Sequence, residues 1–197
     1  MDADRMRPAD RLEYVRAAAT EYVSSGWGVL PGSVFTDGKY TLGHTTTRVD
    51  GLVPVMVSGR TLRSEREVWS WWSGVSYSIL VRVGEDFDVL TAPLELVRAA
   101  MKIEASPVAA CPILYSAKGA QLLIKKHSRL RYDLRDVPGV CLVPQGALVP
   151  LPPTEIPDGP VRWWVAPHDV GYTLGLAGAV QATLAVAVDE SAGGERR

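Results

Sequence analysis

Residues 170–188, VGYTLGLAGAVQATLAVAV, carry no charged side chain over about the length that a helix needs to cross a bilayer. A stretch of this kind must be placed in lipid or in a protein core before the rest of the chain can be read. Ala, Gly and Thr dominate it and Gln181 sits at its centre, so it is much less lipophilic than a Leu/Ile/Phe span. It is expected to be a buried segment of a water-soluble domain, with no membrane partner. Leu176, Val180, Leu184 and Val188 fit one helical face, while Leu184, Val186 and Val188 also alternate as a strand would, so its type stays open.

With 197 residues, 47% of them hydrophobic, the chain can bury one sizeable core. The expectation is a single domain over 1–188, followed by an unstructured tail, DESAGGERR, over 189–197. A net charge of −1 excludes a globally basic nucleic-acid binder and leaves room for a local basic patch. Cys111 and Cys141 have neither zinc nor disulfide-framework spacing, and MDADRMRPAD holds no apolar run of signal-peptide length. Both point to a cytoplasmic location. Ser24, Ser25 and Ser58 form no Gly-x-Ser-x-Gly elbow, and no phosphate-binding glycine loop occurs, so hydrolase, P-loop and dinucleotide-binding readings lack support.

Asp10 precedes a helical pattern in which Leu12, Val15, Ala19, Tyr22 and Val23 share a face, stopped by SSG at 24–26. WGVLPGSVF reads as a buried strand interrupted at Pro31-Gly32, and TDGKYTLGHTTTRVDG as connecting chain. Ser64 and Glu67 make a capping box that opens a short helix, with Val68, Trp69 and Trp72 facing inward. YSILVRV and FDVL read as strands, PLELVRAAMKIEA as a helix starting at Pro93, and CPILYSAKGAQLLIKKH as a hairpin. GVCLVP and VRWWVAP follow, separated by the Pro-rich stretch PLPPTEIPDGP at 150–160, which reads as a loop. The fold class is α+β, a mixed sheet flanked by helices.

The order and spacing of SSGWGVLPG, of WSWW followed by YSILVRVG, and then of SAKGAQLLI, YDLRDVPGVCLVP and DGPVRWW resembles the bifunctional DNA primase/polymerase domain of the archaeo-eukaryotic primase superfamily, over about residues 10–165. The resemblance implies a sheet that carries an acidic pair two residues apart, a nucleotide-contacting histidine and a third acid, which together hold Mg²⁺ or Mn²⁺. In the preferred register Thr91 and Pro93 occupy the places of the acidic pair, Gln121 that of the histidine, and Asp133 that of the third acid. That metal site is degraded, no cofactor is expected, and the acids of GEDFD are a strand-to-strand turn tolerant of substitution. In the alternative register Asp86 and Asp88 are the pair and join Asp133 in an active, metal-dependent DNA primase/polymerase.

Between residues 118 and 135 lie Lys118, Lys125, Lys126, His127, Arg129, Arg131 and Arg135, opposed by Asp133 alone. Such a run can hold the phosphates of nucleotides or of a single strand, or can simply be a solvated hairpin edge. With the resemblance, it makes single-stranded nucleic acid or nucleotides the expected partner, bound through Lys118, Gln121, Lys125, Lys126, Arg129, Arg131 and Arg135. Of the six tryptophans, Trp71 and Trp163 are the expected exposed ones, and the rest are expected in the core. His44 and His168 stand in loops without metal-ligand neighbours. A protein-interaction module using the Pro-rich stretch is the remaining alternative, its partner unspecified.

Overall fold

The computed structural model describes residues 7–43, 45–56, 59–117 and 119–194, with the backbone alone beyond 190. In chain order the elements are α1 (Pro8–Ser24), β1 (Leu30–Gly32), β2 (Val34–Thr36), β3 (Lys39–Thr41), β4 (Arg48–Val49), α2 (Glu65–Trp71), β5 (Ser78–Arg82), β6 (Asp88–Ala92) and α3 (Leu94–Lys102). They continue with β7 (Ile113–Ser116), β8 (Gly119–Ile124), β9 (Cys141–Leu142), β10 (Leu148–Leu151), β11 (Glu155–Ile156), β12 (Gly159–Pro160), β13 (Arg162–Val165) and α4 (Ala177–Gly194). The fold is α+β. No described helix is long and apolar enough to cross a membrane. The chain divides into two compact units, Met1–Arg82 with Leu148–Arg162, and Val83–Ala147 with Trp163–Arg197.

In the first unit, α1 buries Val15, Ala19, Tyr22 and Val23, the face its periodicity predicts. The sheet β1-β5-β10 is antiparallel, with Leu30 opposite Leu80 and Val149 opposite Val81. Pro31-Gly32 lies inside β1 rather than interrupting it. A Cβ at Gly32 would stand 2.6 Å from Leu80 Cδ1, so glycine is what lets the two strands close up. The expected connecting chain from 36 to 51 supplies β3 and β4 of a second sheet, β2-β3-β4. Its turn is Asp37-Gly38, both at positive φ (51° and 73°), the backbone a two-residue hairpin requires. The Pro-rich stretch is not a loop either. It supplies the end of β10 and the β11-β12 pair, and Tyr22 Oη donates to Pro152 O at 2.8 Å.

The capping box of α2 forms as its sequence predicts: the Glu67 amide donates to Ser64 Oγ, and the Ser64 amide donates to Glu67 Oε2 at 3.2 Å. Val68 and Trp72 are fully buried, but Trp69 is 53% exposed and carries the Arg16 guanidinium 4.0 Å above its ring.

In the second unit, five strands run in the order β13-β7-β8-β6-β9, and β6 pairs antiparallel with both β8 and β9. Leu90, Ala92, Ile113, Ala120, Leu122 and Ile124 of the sheet pack with Val97 and Ala100 of α3 and with Val180, Leu184 and Ala187 of α4. Pro93 is the N-cap of α3, whose first residue, Leu94, comes one position after the expected start. The uncharged segment is α-helical from Ala177 onward, and α4 continues to Gly194, beyond the point where an unstructured tail was expected.

Hydrogen bonds from the Arg60 side chain, the Arg63 amide and Ser64 hold the Glu67 carboxyl down at about 2. A depressed carboxylate adds stability above its ordinary value of 4.5, and that contribution is lost as pH falls through 4.5 toward about 2. Glu67→Gln should therefore cost about 1 kcal/mol at neutral pH. In urea titrations at stepped pH, the gap between the variant and the parent should close on acidification.

Candidate functional site

The segment GEDFD folds as a tight turn, closed by Gly84 N–H donating to Phe87 O at 2.8 Å, and delivers Asp88 as the first residue of β6. Glu85 and Asp86 are half-buried in that turn. Asp88 departs from expectation. It is 2% exposed, and both of its carboxylate oxygens accept hydrogen bonds at 2.7 Å, one from the Ser128 amide and one from Gln145 Nε2. A buried carboxylate is tolerated only where donors replace its lost water, and these two do so. Gly84 completes the arrangement, because a Cβ there would coincide with the Gln145 amide.

The Asp88–Ser128 bond fixes the start of the basic segment. His127 sits at φ 66°, Ser128 Oγ donates back to Lys125 O, and the turn leaves Lys125 and Lys126 exposed, with Lys126 Nζ donating to Glu85 O at 3.3 Å. Gln181 of α4, 1% exposed, holds the next stretch. Its Oε1 accepts from the Arg131 amide at 2.8 Å and its Nε2 donates to Arg129 O at 3.0 Å. A 3₁₀ turn over Tyr132–Leu134 then sinks Leu134 into the core. The backbone from 125 to 134 is thus held at three points, while Lys125, Lys126, Arg129, Arg131 and Arg135 point outward. Among the described residues no carboxylate pairs with Lys125, Arg129 or Arg135. Tyr132 is 81% exposed among these charges, with the Arg135 guanidinium 5.8 Å from its ring centroid. Lys118 and His44 lie outside the described residues, as does Ser58.

Thr91 pairs across the sheet with Gln121 on one side and with Cys141 on the other. Opposed residues in antiparallel strands share a face. The three therefore form a row on the face of β6 away from Leu90 and Ala92. Thr91 Oγ1 donates to Cys141 O at 3.0 Å and lies 2.9 Å from Cys141 Sγ. Pro93 has left the strand to cap α3. Of the three places assigned to the degraded acidic pair and the histidine, two thus keep neighbouring polar side chains, Thr91 and Gln121, on one surface.

The alternative set is Asp86, Asp88 and Asp133. Both oxygens of Asp88 are committed to protein donors, and those of Asp133 receive Arg131 Nε and Nη2 at 3.0 and 2.7 Å. The Arg131 guanidinium holds the Asp133 carboxyl below its usual range. Among the described residues no three His, Cys, Asp or Glu side chains converge on one point. Cys111 is buried, which pushes its thiol up to about 12, whereas Cys141 is an exposed free thiol.

The tryptophans redistribute. Trp71 is half-buried with its ring edge toward Tyr77, and Trp163 is half-buried too, so Trp69 is the exposed one. Sequence reasoning missed Gln181 and Tyr132. A lone amide in an uncharged helix and an aromatic inside a basic run were the available signals. His168 Nε2 lies 3.3 Å from Asp169 Oδ1 on an exposed 3₁₀ turn.

Replacing Asp88 by Ala strands the partly buried Ser128 amide and frees the start of the basic segment. The expected cost is about 2–4 kcal/mol by urea denaturation, with faster hydrogen exchange at Ser128. A loss within about 0.5 kcal/mol, as for an exposed turn, would contradict the buried anchor.

Compared with family models, with curated proteins and with solved structures, the chain finds no match, so the reading of the site rests on its own residues.

Proposed function

We propose that this chain is a primase/polymerase-like module that binds single-stranded nucleic acid along the Lys125–Arg135 segment and has lost the family's phosphoryl-transfer chemistry. The observation that carries the reading is the basic segment itself. Its backbone is pinned by Asp88, Gln181 and Leu134, its cations are exposed, and an exposed tyrosine stands among them. Pinning lowers the ordering cost of binding, because the cations need not be gathered when a strand arrives. Lysine and arginine meet phosphates without regard to sequence, and a tyrosine face accepts any base. Arg131 is partly neutralised by Asp133, so Lys125, Lys126, Arg129 and Arg135 are the main contributors. The resemblance supplies the primase/polymerase part of the reading. Thr91, Pro93 and Gln121, standing where acids and a histidine would be needed, support the loss of catalysis.

Fluorescence anisotropy with a labelled oligothymidylate tests binding. Four cations on a single strand give a slope of log K against log salt on the order of −3. Tyr132→Ala should weaken binding about tenfold through lost stacking, and the double substitution Lys125→Glu, Lys126→Glu should nearly abolish it. Affinity indifferent to salt and to these changes would refute the assignment.

Primer extension tests the chemistry. With Mg²⁺ or Mn²⁺ present, purified protein should incorporate no nucleotide above background. Template-dependent incorporation that disappears in Asp133→Ala would restore the acid to a catalytic role and overturn this half of the reading.

A further inference from the structure

A second feature of the Val83–Ala147 and Trp163–Arg197 unit lies on other elements than the basic segment. Leu94 and Arg98 of α3, Tyr115 of β7, and Trp163 and Trp164 of β13 line a cavity of ≈ 480 Å³. This is within the ~300–1,000 Å³ range of small-molecule sites. Leu94 and Arg98 are one helical turn apart and so share a face of α3, while β13 and β7 are neighbours in the sheet. Trp164 is fixed from behind by packing on the core. Among the described residues no carboxylate lines the cavity, and its one charge is the Arg98 guanidinium. The nearest acid is Glu95, whose Oε1 stands 3.5 Å from Arg98 Nη1 with both side chains more than half exposed. Such a surface pair is worth little and yields readily to a stronger anion.

This chemistry selects among ligand classes. Neighbours in a strand point to opposite faces, so it is the indole of Trp164, packed on the core beside α3, that joins the Tyr115 phenol, and together they favour a planar ring, which stacks on their faces. Aromatic cages also take quaternary ammonium groups, but a guanidinium in the lining repels a cation. Its planar fork matches a phosphate or carboxylate in bidentate fashion instead. We propose that this cavity binds a free mononucleotide, with the base stacked against Trp164 and Tyr115 and the phosphate paired with Arg98. The proposal does not depend on strand binding by Lys125–Arg135, since neither the residues nor the elements are shared.

Tryptophan fluorescence of the whole chain reads the site directly. Adenosine 5′-monophosphate should quench it saturably, adenosine should bind about tenfold more weakly for want of the phosphate contact, and inorganic phosphate alone should give no quench. Arg98→Gln should bring the monophosphate down to the level of adenosine. Trp164→Ala should abolish binding with the circular dichroism unchanged, and Trp164→Phe, which keeps a ring for stacking and guards against misfolding of the alanine variant, should retain part of it. The proposal falls if the monophosphate gives no saturable quench, if it and adenosine bind alike and Arg98→Gln is silent, or if Trp164→Ala binds as the parent does. It falls equally if an oligonucleotide without terminal phosphate depends on Arg98 and Trp164 while the monophosphate does not bind.

Discussion

The buried carboxylate of Asp88 is the constraint on which much of the Val83–Ala147 unit depends. Taking a carboxylate out of water is tolerable only when donors arrive from elsewhere, and here they come from 40 and 57 residues downstream. Ser128 and Gln145 must therefore reach the beginning of β6, which ties the turn after β8 and the segment after β9 to the same point. The glycine at 84 follows from this, because the Gln145 amide occupies the space a side chain would need. One buried acid thus sets where three connecting segments lie, and the hydrophobic face of the sheet is organised around strands whose ends are already fixed.

The sheet divides its labour by face. Alternation along β6 sends Leu90 and Ala92 toward α3 and α4, and Thr91 to the other side, where Gln121 and Cys141 stand beside it. The row runs from the central strand β8 across β6 to the edge strand β9, on the face that the core does not cover. Thr91 satisfies itself against Cys141, so the row carries no buried unpaired group.

What was legible in the sequence was local. The Ser64–Glu67 box, the apolar stripe of α1 and the 113–124 hairpin all follow from residues within a few positions of one another, and all appear as expected. The β2-β3-β4 sheet was also written locally, in Asp37-Gly38 between Phe35 and Tyr40, but its polar composition disguised it as a loop. Asp88 could not be read this way. Its neighbours Glu85 and Asp86 make it look like one more acid in a turn, and its burial is decided by partners far along the chain. Trp69 was misplaced for a similar reason: its position on α2 allows an inward face, but Arg16 of α1 offers its ring a partner at the surface. The type of the 170–188 segment needed the sheet beneath it, since only packing on Ile113, Leu122 and their neighbours distinguishes helix from strand there.

Gln181 grips the segment it holds by main-chain atoms alone, the amide of Arg131 and the carbonyl of Arg129. Any residue other than proline at 131 presents that same amide, and every residue at 129 presents that carbonyl. The shape of this edge is therefore uncoupled from its lettering. Substitution can rewrite the charge and reach of the side chains displayed at 129 and 131 while the path of the chain stays as it is, which gives the molecule a fixed mount with interchangeable tips.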